Sequence, residues 1–78
     1  MDFALIIREI RQECLLSQEM FAAELGVSFS SVNRWEKGKA LPNYQTMKKL
    51  EQYCSINHID FKNADRAWKE KRNGIHAY

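Results

Sequence analysis

The clearest structural signal in this chain lies in residues 17–38, which read SQEMFAAELGVSFSSVNRWEKG. Ser17 and Ser28 each precede a run of helix-forming residues, and a serine hydroxyl there accepts hydrogen bonds from the free N–H groups of a first helical turn. Gly26 separates the two runs, and glycine readily takes up the left-handed conformation that ends a helix. The pattern therefore predicts two short helices joined by a tight turn centred on Gly26 and Val27, which is a helix-turn-helix.

Both predicted helices carry apolar residues about one turn apart. The first has Phe21 and Leu25, and the second has Val32 and Trp35. Side chains at this spacing lie on one face of a helix, so we expect the four to form a common apolar seam. The second helix should run from about residue 29 to residue 37, which gives the helix-turn-helix a core of residues 17–37.

Helical patterns also flank this core. A first helix is expected over about residues 2–14 with Asp2 as its cap, and a fourth begins after Pro42 with Asn43 as its cap. We expect the fourth helix to end near residues 54–55 and Ile56 to plug the core. The apolar stripes are Phe3, Ile6, Ile7, Ile10 and Cys14 in the first helix, and Tyr44, Met47, Leu50 and Cys54 in the fourth.

A fifth helix is expected over about residues 58–72. Phe61, Ala64 and Trp68 form its apolar face, Gly74 stops it, and residues 73–78 form a short tail. No segment has the alternation typical of a strand. A chain of 78 residues is short for more than one domain. Residues 1–78 are therefore predicted to form a single all-α domain, a compact bundle of about five short helices.

Charge is unevenly distributed along the chain, although the net charge is only +2. Residues 1–33 carry two basic and five acidic side chains, whereas residues 34–78 carry ten basic and five acidic ones. The basic residues of the second part are Arg34, Lys37, Lys39, Lys48, Lys49, Lys62, Arg66, Lys69, Lys71 and Arg72. This asymmetry favours a surface that faces a polyanion, but a solvated surface also fits a pI near 8.6.

Several classes of site find no support in the sequence. Cys14 and Cys54 are interpreted as reduced, buried thiols, and together with His58 and His76 they lack the paired spacing of zinc modules. Asp60 near His58 is interpreted as a helix cap rather than a catalytic group. With no nucleophile–base pair or phosphate-binding glycine loop, we expect no enzyme, cofactor, metal or small-molecule ligand. No membrane segment or secretory leader is evident, so we expect a cytoplasmic protein.

Residues 17–42 resemble the helix-turn-helix of Cro- and phage-repressor-type regulators, the XRE-like family. The matching residues are Ser17, Gln18, Phe21, Ala22, Leu25, Gly26, Val27, Ser28, Val32, Trp35, Glu36, Gly38 and Pro42, and they fit without an insertion. The likeness extends less sharply over about residues 3–56. It implies a lambda-repressor-like fold that binds double-stranded DNA, and it leaves the C-terminal segment without a match.

The resemblance also implies which residues meet DNA bases. In this fold the second helix of the motif enters the major groove, and its N-terminal residues reach base edges. The implied base-contacting residues are Ser28, Phe29, Ser30, Ser31, Asn33 and Arg34. Arg34 suits either guanine or a phosphate, and Asn33 suits either adenine or a place on the helix flank. Phe29 could contact a thymine methyl group, pack back onto its own domain, or contact another protomer.

The resemblance implies two further groups of residues. Ser17, Gln18, Lys37 and Lys39 are expected to contact phosphates, which supplies affinity rather than specificity. Arg11 and Glu36 are expected to form a structural ion pair that links the first helix to the end of the recognition helix. The alternative is two independent surface charges.

Two functions from different classes follow. The first is a sequence-specific transcriptional regulator, a repressor or autoregulator of a phage, mobile element or restriction system, acting as a homodimer because two-fold operators follow from protein symmetry. Phe61 and Trp68 are candidates for the dimer interface, unless Trp68 belongs to the core. The second is a protein–protein adaptor, such as an antitoxin-like module, whose partner surface would include Phe61, Trp68, Ile75 and Tyr78.

Overall fold

The computed structural model describes residues 2–73, and five α-helices lie within them. They are α1 (Phe3–Glu13), α2 (Gln18–Leu25), α3 (Phe29–Glu36), α4 (Tyr44–Ile56) and α5 (Lys62–Arg72). No strand occurs in this part of the chain, which confirms the all-α class. The predicted helix stop at Gly74, the tail beyond residue 73, and the side chains of Ile75 and Tyr78 lie outside the described residues.

Polar side chains cap four of the helices as the sequence predicts. Each accepts a hydrogen bond from a free backbone N–H of the first turn: Asp2 from Ala4 at 3.1 Å, Ser17 from Met20 at 3.1 Å, Ser28 from Ser31 at 3.1 Å, and Asn43 from Thr46 at 2.9 Å. Each such cap stabilises its helix by about 1 kcal/mol. Local sequence therefore fixes where these four helices begin.

The turn between α2 and α3 depends on Gly26. This residue has φ +69°, in the left-handed region that other residues rarely adopt. The N–H of Val27 then reaches the carbonyl of Ala22 at 2.9 Å, which closes the end of α2. Ser28 follows at once and caps α3, so the two helices are held close together as the predicted helix-turn-helix.

One core lies between the helices. It is formed by the buried residues Phe3, Ile7, Ile10, Phe21, Ala22, Leu25, Val32, Trp35, Met47, Leu50, Cys54, Ala64, Ala67 and Trp68. Helix α3 packs on α2 and α1, α5 packs on α1, and α4 packs on α2. The apolar seam predicted for the helix-turn-helix is part of this core, which is confirmed by the burial of all four of its residues.

Two predicted core residues of α4 are exposed. Ile56, expected to plug the core, is 76% exposed, because it is the last residue of α4 and lies about 180° around the helix from the buried Met47. Tyr44 is also exposed, since it lies on the flank of the stripe formed by Met47, Leu50 and Cys54. In the loop that follows α4, Ile59 is half-buried and packs against the core instead.

Helix α5 begins at Lys62 rather than at residue 58. His58 takes a left-handed conformation with φ +58°, which ends the path of α4 and starts a loop. The N-cap of α5 is Phe61, and the preceding Asp60 accepts a hydrogen bond from the N–H of Lys62 at 2.9 Å. Helix α3 likewise ends one residue before the predicted Lys37, which serves as its C-cap.

The two cysteines are free, but they differ in burial. Cys54 lies in the core, and burial raises the pKa of its thiol to about 11, so the thiol stays protonated at neutral pH. Cys14 is only half-buried, in contrast to the expectation of two buried thiols, because α1 ends at Glu13 and Cys14 is its C-cap. Among residues 2–73 no group of His, Cys, Asp and Glu side chains is arranged to hold a metal ion.

Candidate nucleic-acid interface

Helix α3 has one anchored face and one open face. Val32, Trp35 and Glu36 are buried against the neighbouring helices. The residues predicted to contact bases lie mostly on the opposite side: Ser28, Phe29, Ser30 and Arg34 are exposed, and Ser31 and Asn33 are half-buried. The open face is therefore rigidly presented, with a mixture of hydroxyl, aromatic and guanidinium groups.

Phe29 and Arg34 are the two large side chains on the open face. Phe29 is 48% exposed, so it does not fold back into the core. Arg34 has no hydrogen-bond or carboxylate partner within residues 2–73, which leaves its guanidinium donors free. An apolar ring and a free guanidinium are suited to a thymine methyl group and to guanine O6 and N7, respectively.

Asn33 lies on the flank of α3 and contacts α2. Its Nδ2 donates to Gln18 Oε1 at 3.1 Å, and Gln18 Nε2 donates to Glu36 Oε1 at 3.0 Å. Both ends of the Gln18 amide are therefore engaged within the protein. A phosphate contact by Gln18 must use the remaining N–H of its Nε2 or replace one of these bonds.

Glu36 is the centre of this polar network. Its side chain is 2% exposed, and Arg11 donates to both carboxylate oxygens, from Nε at 2.7 Å and from Nη2 at 3.0 Å. The third arm of Arg11, Nη1, donates to the carbonyl of Leu16 at 2.8 Å. Arg8, which is 45% exposed, approaches the same carboxylate at 3.6 Å. The two side chains expected to pair are thus in bidentate contact, and they link α1, the α1–α2 connection and α3.

The electrostatics of Glu36 reflect two opposing effects. Burial alone raises the pKa of a carboxyl, but hydrogen bonds from Arg11 and Gln18 and the charges of Arg11 and Arg8 outweigh it and hold the pKa of Glu36 below its ordinary value. The hydrogen bond to Glu36 also raises the pKa of Arg11. Both groups are therefore ionised at neutral pH, and the pair is a charged one.

The other residues expected to contact phosphates are exposed. The Ser17 hydroxyl already accepts from the N–H of Met20, so its own hydrogen remains free to donate. Lys37 and Lys39 stand on either side of Gly38, whose φ of +74° turns the chain sharply away from α3. Two lysines are therefore presented directly after the recognition helix, beside the start of the loop to α4.

Trp68 is not a surface residue. It is 3% exposed, and its Nε1 donates to the carbonyl of Pro42 at 2.8 Å. This burial removes Trp68 from the candidate dimer interface and from the adaptor surface, because the chain itself covers the ring. Phe61 is half-buried and packs against the core.

Sequence reasoning missed one cluster of side chains beside the loop between α3 and α4. The exposed ring of Tyr44 packs edge-on against Trp68, with centroids 5.2 Å apart, and the guanidinium of Arg72 lies over both rings. We call Tyr44, Trp68 and Arg72 the aromatic–arginine cluster. The four-residue spacing of Trp68 and Arg72 places them on one face of α5, but no local pattern indicates that α4 supplies the third member.

Comparison with known proteins gives the family. The chain matches the helix-turn-helix family over residues 7–61, from within α1 to the residue before α5. It is 32% identical over 56 residues to the HTH-type transcriptional activator BcrR of Enterococcus faecalis; the match covers 72% of this chain but only 28% of that relative. None of the solved structures matches. With the motif, its caps and its anchored recognition helix in place, the chain belongs to the XRE-like helix-turn-helix family.

Proposed function

We propose that this chain binds double-stranded DNA sequence-specifically and regulates transcription. The observation that carries the proposal is the open face of α3: Arg34 has no partner within residues 2–73, while Val32, Trp35 and Glu36 hold the helix in place. Family membership and the name of the relative, a transcriptional activator, support the same function.

In the proposed complex α3 enters the major groove. Ser28, Phe29, Ser30, Ser31 and Arg34 face base edges, and Asn33 joins them if it releases Gln18. Ser17, Gln18, Lys37 and Lys39 contact phosphates on either side, which sets the register of the helix in the groove. Arg34 contributes about 1–3 kcal/mol of discrimination between bases if its contact to guanine is bidentate.

We further propose that the protein acts as a homodimer and represses. An eight-residue recognition helix reads only a few base pairs, and two copies related by a two-fold axis double the site. Repression needs nothing beyond occupancy of a promoter, which the DNA-facing surface described here can provide. The relative is named as a transcriptional activator, but the match covers only 28% of that protein. An autoregulator of a phage, mobile-element or restriction system is the setting that the sequence resemblance favours.

Selection of bound duplexes from a random-sequence library tests the proposal. The wild type should enrich a two-fold motif with half-sites about one helical turn apart. Arg34→Ala should lose preference at one base position of each half-site, by roughly 5- to 150-fold. Lys37→Ala is the matched control, because losing a phosphate contact should weaken binding about equally for all sequences.

Two results would contradict parts of the proposal. Enrichment of a single, asymmetric half-site, together with a monomer in sedimentation at the binding concentration, would exclude the homodimer. No enrichment by a folded wild type would exclude sequence-specific binding by this chain alone and favour the adaptor function.

A further inference from the structure

The end of α5 is fixed against the first residue of α4. Arg72 Cζ lies 4.4 Å from the centroid of the Tyr44 ring and 5.2 Å from that of Trp68. A guanidinium at this distance from an aromatic face is attracted by the ring quadrupole, and Arg is better suited to such stacking than Lys. The position of Arg72 is therefore set by two rings rather than left to a freely rotating side chain.

The aromatic–arginine cluster adjoins the loop that follows the recognition helix. The Trp68 indole donates to the carbonyl of Pro42, one residue before the cap of α4. Further along α5, Lys71 lines the same groove as Gly38 and Lys39. The last turn of α5 is thus held beside the segment that presents Lys37 and Lys39.

Basic residues predominate in this region, since the last turn of α5 carries Lys69, Lys71 and Arg72 with Glu70 as its acidic residue. Within residues 2–73 Arg72 has no carboxylate partner, and both Arg72 and Tyr44 are exposed. A guanidinium stacked on a ring keeps its N–H donors in the plane of the group, where they can reach an anion at the edge. The N-terminus of the 13-residue α4, beside Tyr44, adds the positive end of a helix dipole.

We propose that Arg72 contacts a backbone phosphate of the bound DNA, and that Tyr44 and Trp68 position it for this contact. The inference rests on the proposed function and extends its surface to a helix that lies wholly outside the family match over residues 7–61. Arg72 supplies affinity and salt dependence, whereas base preference stays with α3.

The test is the salt dependence of binding to the selected duplex, for the wild type, Arg72→Gln, Arg72→Lys and Arg66→Gln. Loss of one phosphate contact lowers the slope of log K against log salt by about 0.9, so the fall in affinity between 50 and 200 mM salt becomes about 3.5-fold smaller. We expect this for Arg72→Gln, with unchanged base preference, and a slope near that of the wild type for Arg72→Lys. Arg66→Gln is the matched control, because Arg66 is exposed on the same helix, about 120° around it from Arg72.

A second variant separates positioning from charge. Tyr44→Leu keeps every charge but removes the nearer of the two rings under Arg72, and we expect weaker binding with a slope between those of the wild type and Arg72→Gln. Thermal melts of each variant show that the comparison is made on folded protein. If Arg72→Gln unfolds, the same comparison is made between Tyr44→Leu and the wild type.

Three results would overturn the inference. The first is a slope for Arg72→Gln equal to that of the wild type, while the wild type still shows base preference that depends on Arg34. The proposed function then stands and only this extension falls. The second is an equal fall in slope for Arg66→Gln, which indicates a general charge effect. The third is an Arg72→Gln protein that no longer forms the dimer in sedimentation but keeps the wild-type slope at saturating protein. That result would indicate that the aromatic–arginine cluster contacts a second copy of the chain rather than DNA. A folded wild type that binds no duplex removes both proposals.

Discussion

Removal of Arg11 is the most informative single change to the fold, because it leaves Glu36 buried without its bidentate partner. The Arg11 side chain is 15% exposed and Glu36 is 2% exposed, so water cannot replace the lost contacts fully. Breaking a buried ion pair from one side costs about 3–5 kcal/mol. Gln18 still donates to Glu36 at 3.0 Å and Arg8 remains at 3.6 Å, so we expect Arg11→Ala to cost about 3 kcal/mol, the lower end of that range.

Arg8→Ala is the matched control for this change. Arg8 approaches the same carboxylate at 3.6 Å and donates from Nη2 to the Glu36 carbonyl at 3.2 Å, but its side chain is 45% exposed, so water can replace these contacts and we expect them to contribute only about 0.2–1 kcal/mol. For a domain of this size 1 kcal/mol moves the melting temperature by about 4–8 °C. Arg11→Ala should therefore lower the Tm by about 12–24 °C and Arg8→Ala by at most about 8 °C. Urea unfolding followed by the fluorescence of the two tryptophans gives the same comparison as free energies.

The pH dependence provides an independent check. Because the pKa of Glu36 is lower in the folded protein than its ordinary value of 4.5, its ionised form contributes stability that is fully present above pH 4.5. That contribution is lost as the pH falls below 4.5 through the folded pKa. In Arg11→Ala burial is opposed by fewer partners, so the folded pKa of Glu36 rises toward or above 4.5, and this acid loss of stability should shrink or reverse. Equal costs for Arg11→Ala and Arg8→Ala, with identical acid profiles, would refute the buried-pair reasoning.

Two other changes test the backbone and the core. Leu15 is exposed and left-handed, with φ +58°, so Leu15→Gly should stabilise the protein by about 0.5–1 kcal/mol in urea unfolding. The control Leu5→Gly, at an exposed position inside α1, should destabilise it by about 1 kcal/mol. Destabilisation by both changes would contradict the argument that Leu15 is strained. Trp68→Phe leaves the Pro42 carbonyl without its donor and should cost about 1–3 kcal/mol more stability than Trp35→Phe. Trp35 is the control because it is equally buried but its indole N–H has no hydrogen-bond partner within residues 2–73. Equal costs in the same assay would show that the hydrogen bond contributes nothing.

Local signals predicted the parts of the fold that depend on neighbouring residues. Four polar caps and the left-handed Gly26 act within one helical turn, so their residue types are legible in the sequence. The end of α4 was harder, because an apolar residue such as Ile56 at a helix end satisfies the spacing without facing the core. The late start of α5 depends on His58, a residue type that adopts a left-handed conformation in only a minority of cases, so its identity alone does not predict a helix end.

In the candidate site, too, some features were predicted from the sequence and others were not. The resemblance supplied the identity of the recognition helix and the pairing of Arg11 with Glu36, whereas the bonds that join Gln18 to Asn33 and Glu36 connect separate helices and have no local signature. The contact between Trp68 and Pro42 joins residues 26 positions apart. Such contacts are decided by tertiary packing, which periodicity within one helix does not specify.

The anchoring of α3 also explains how stability and DNA binding should separate among variants. A helix of eight residues is too short to be stable alone, so its order comes from Val32, Trp35 and Glu36. A change that loosens this anchor, such as Arg11→Ala, should weaken DNA binding and the fold together. A change at Arg34 or Arg72 should weaken DNA binding while leaving the core contacts of α3 intact. Affinity lost without stability therefore identifies a residue that touches DNA, and affinity lost with stability identifies one that positions the recognition helix.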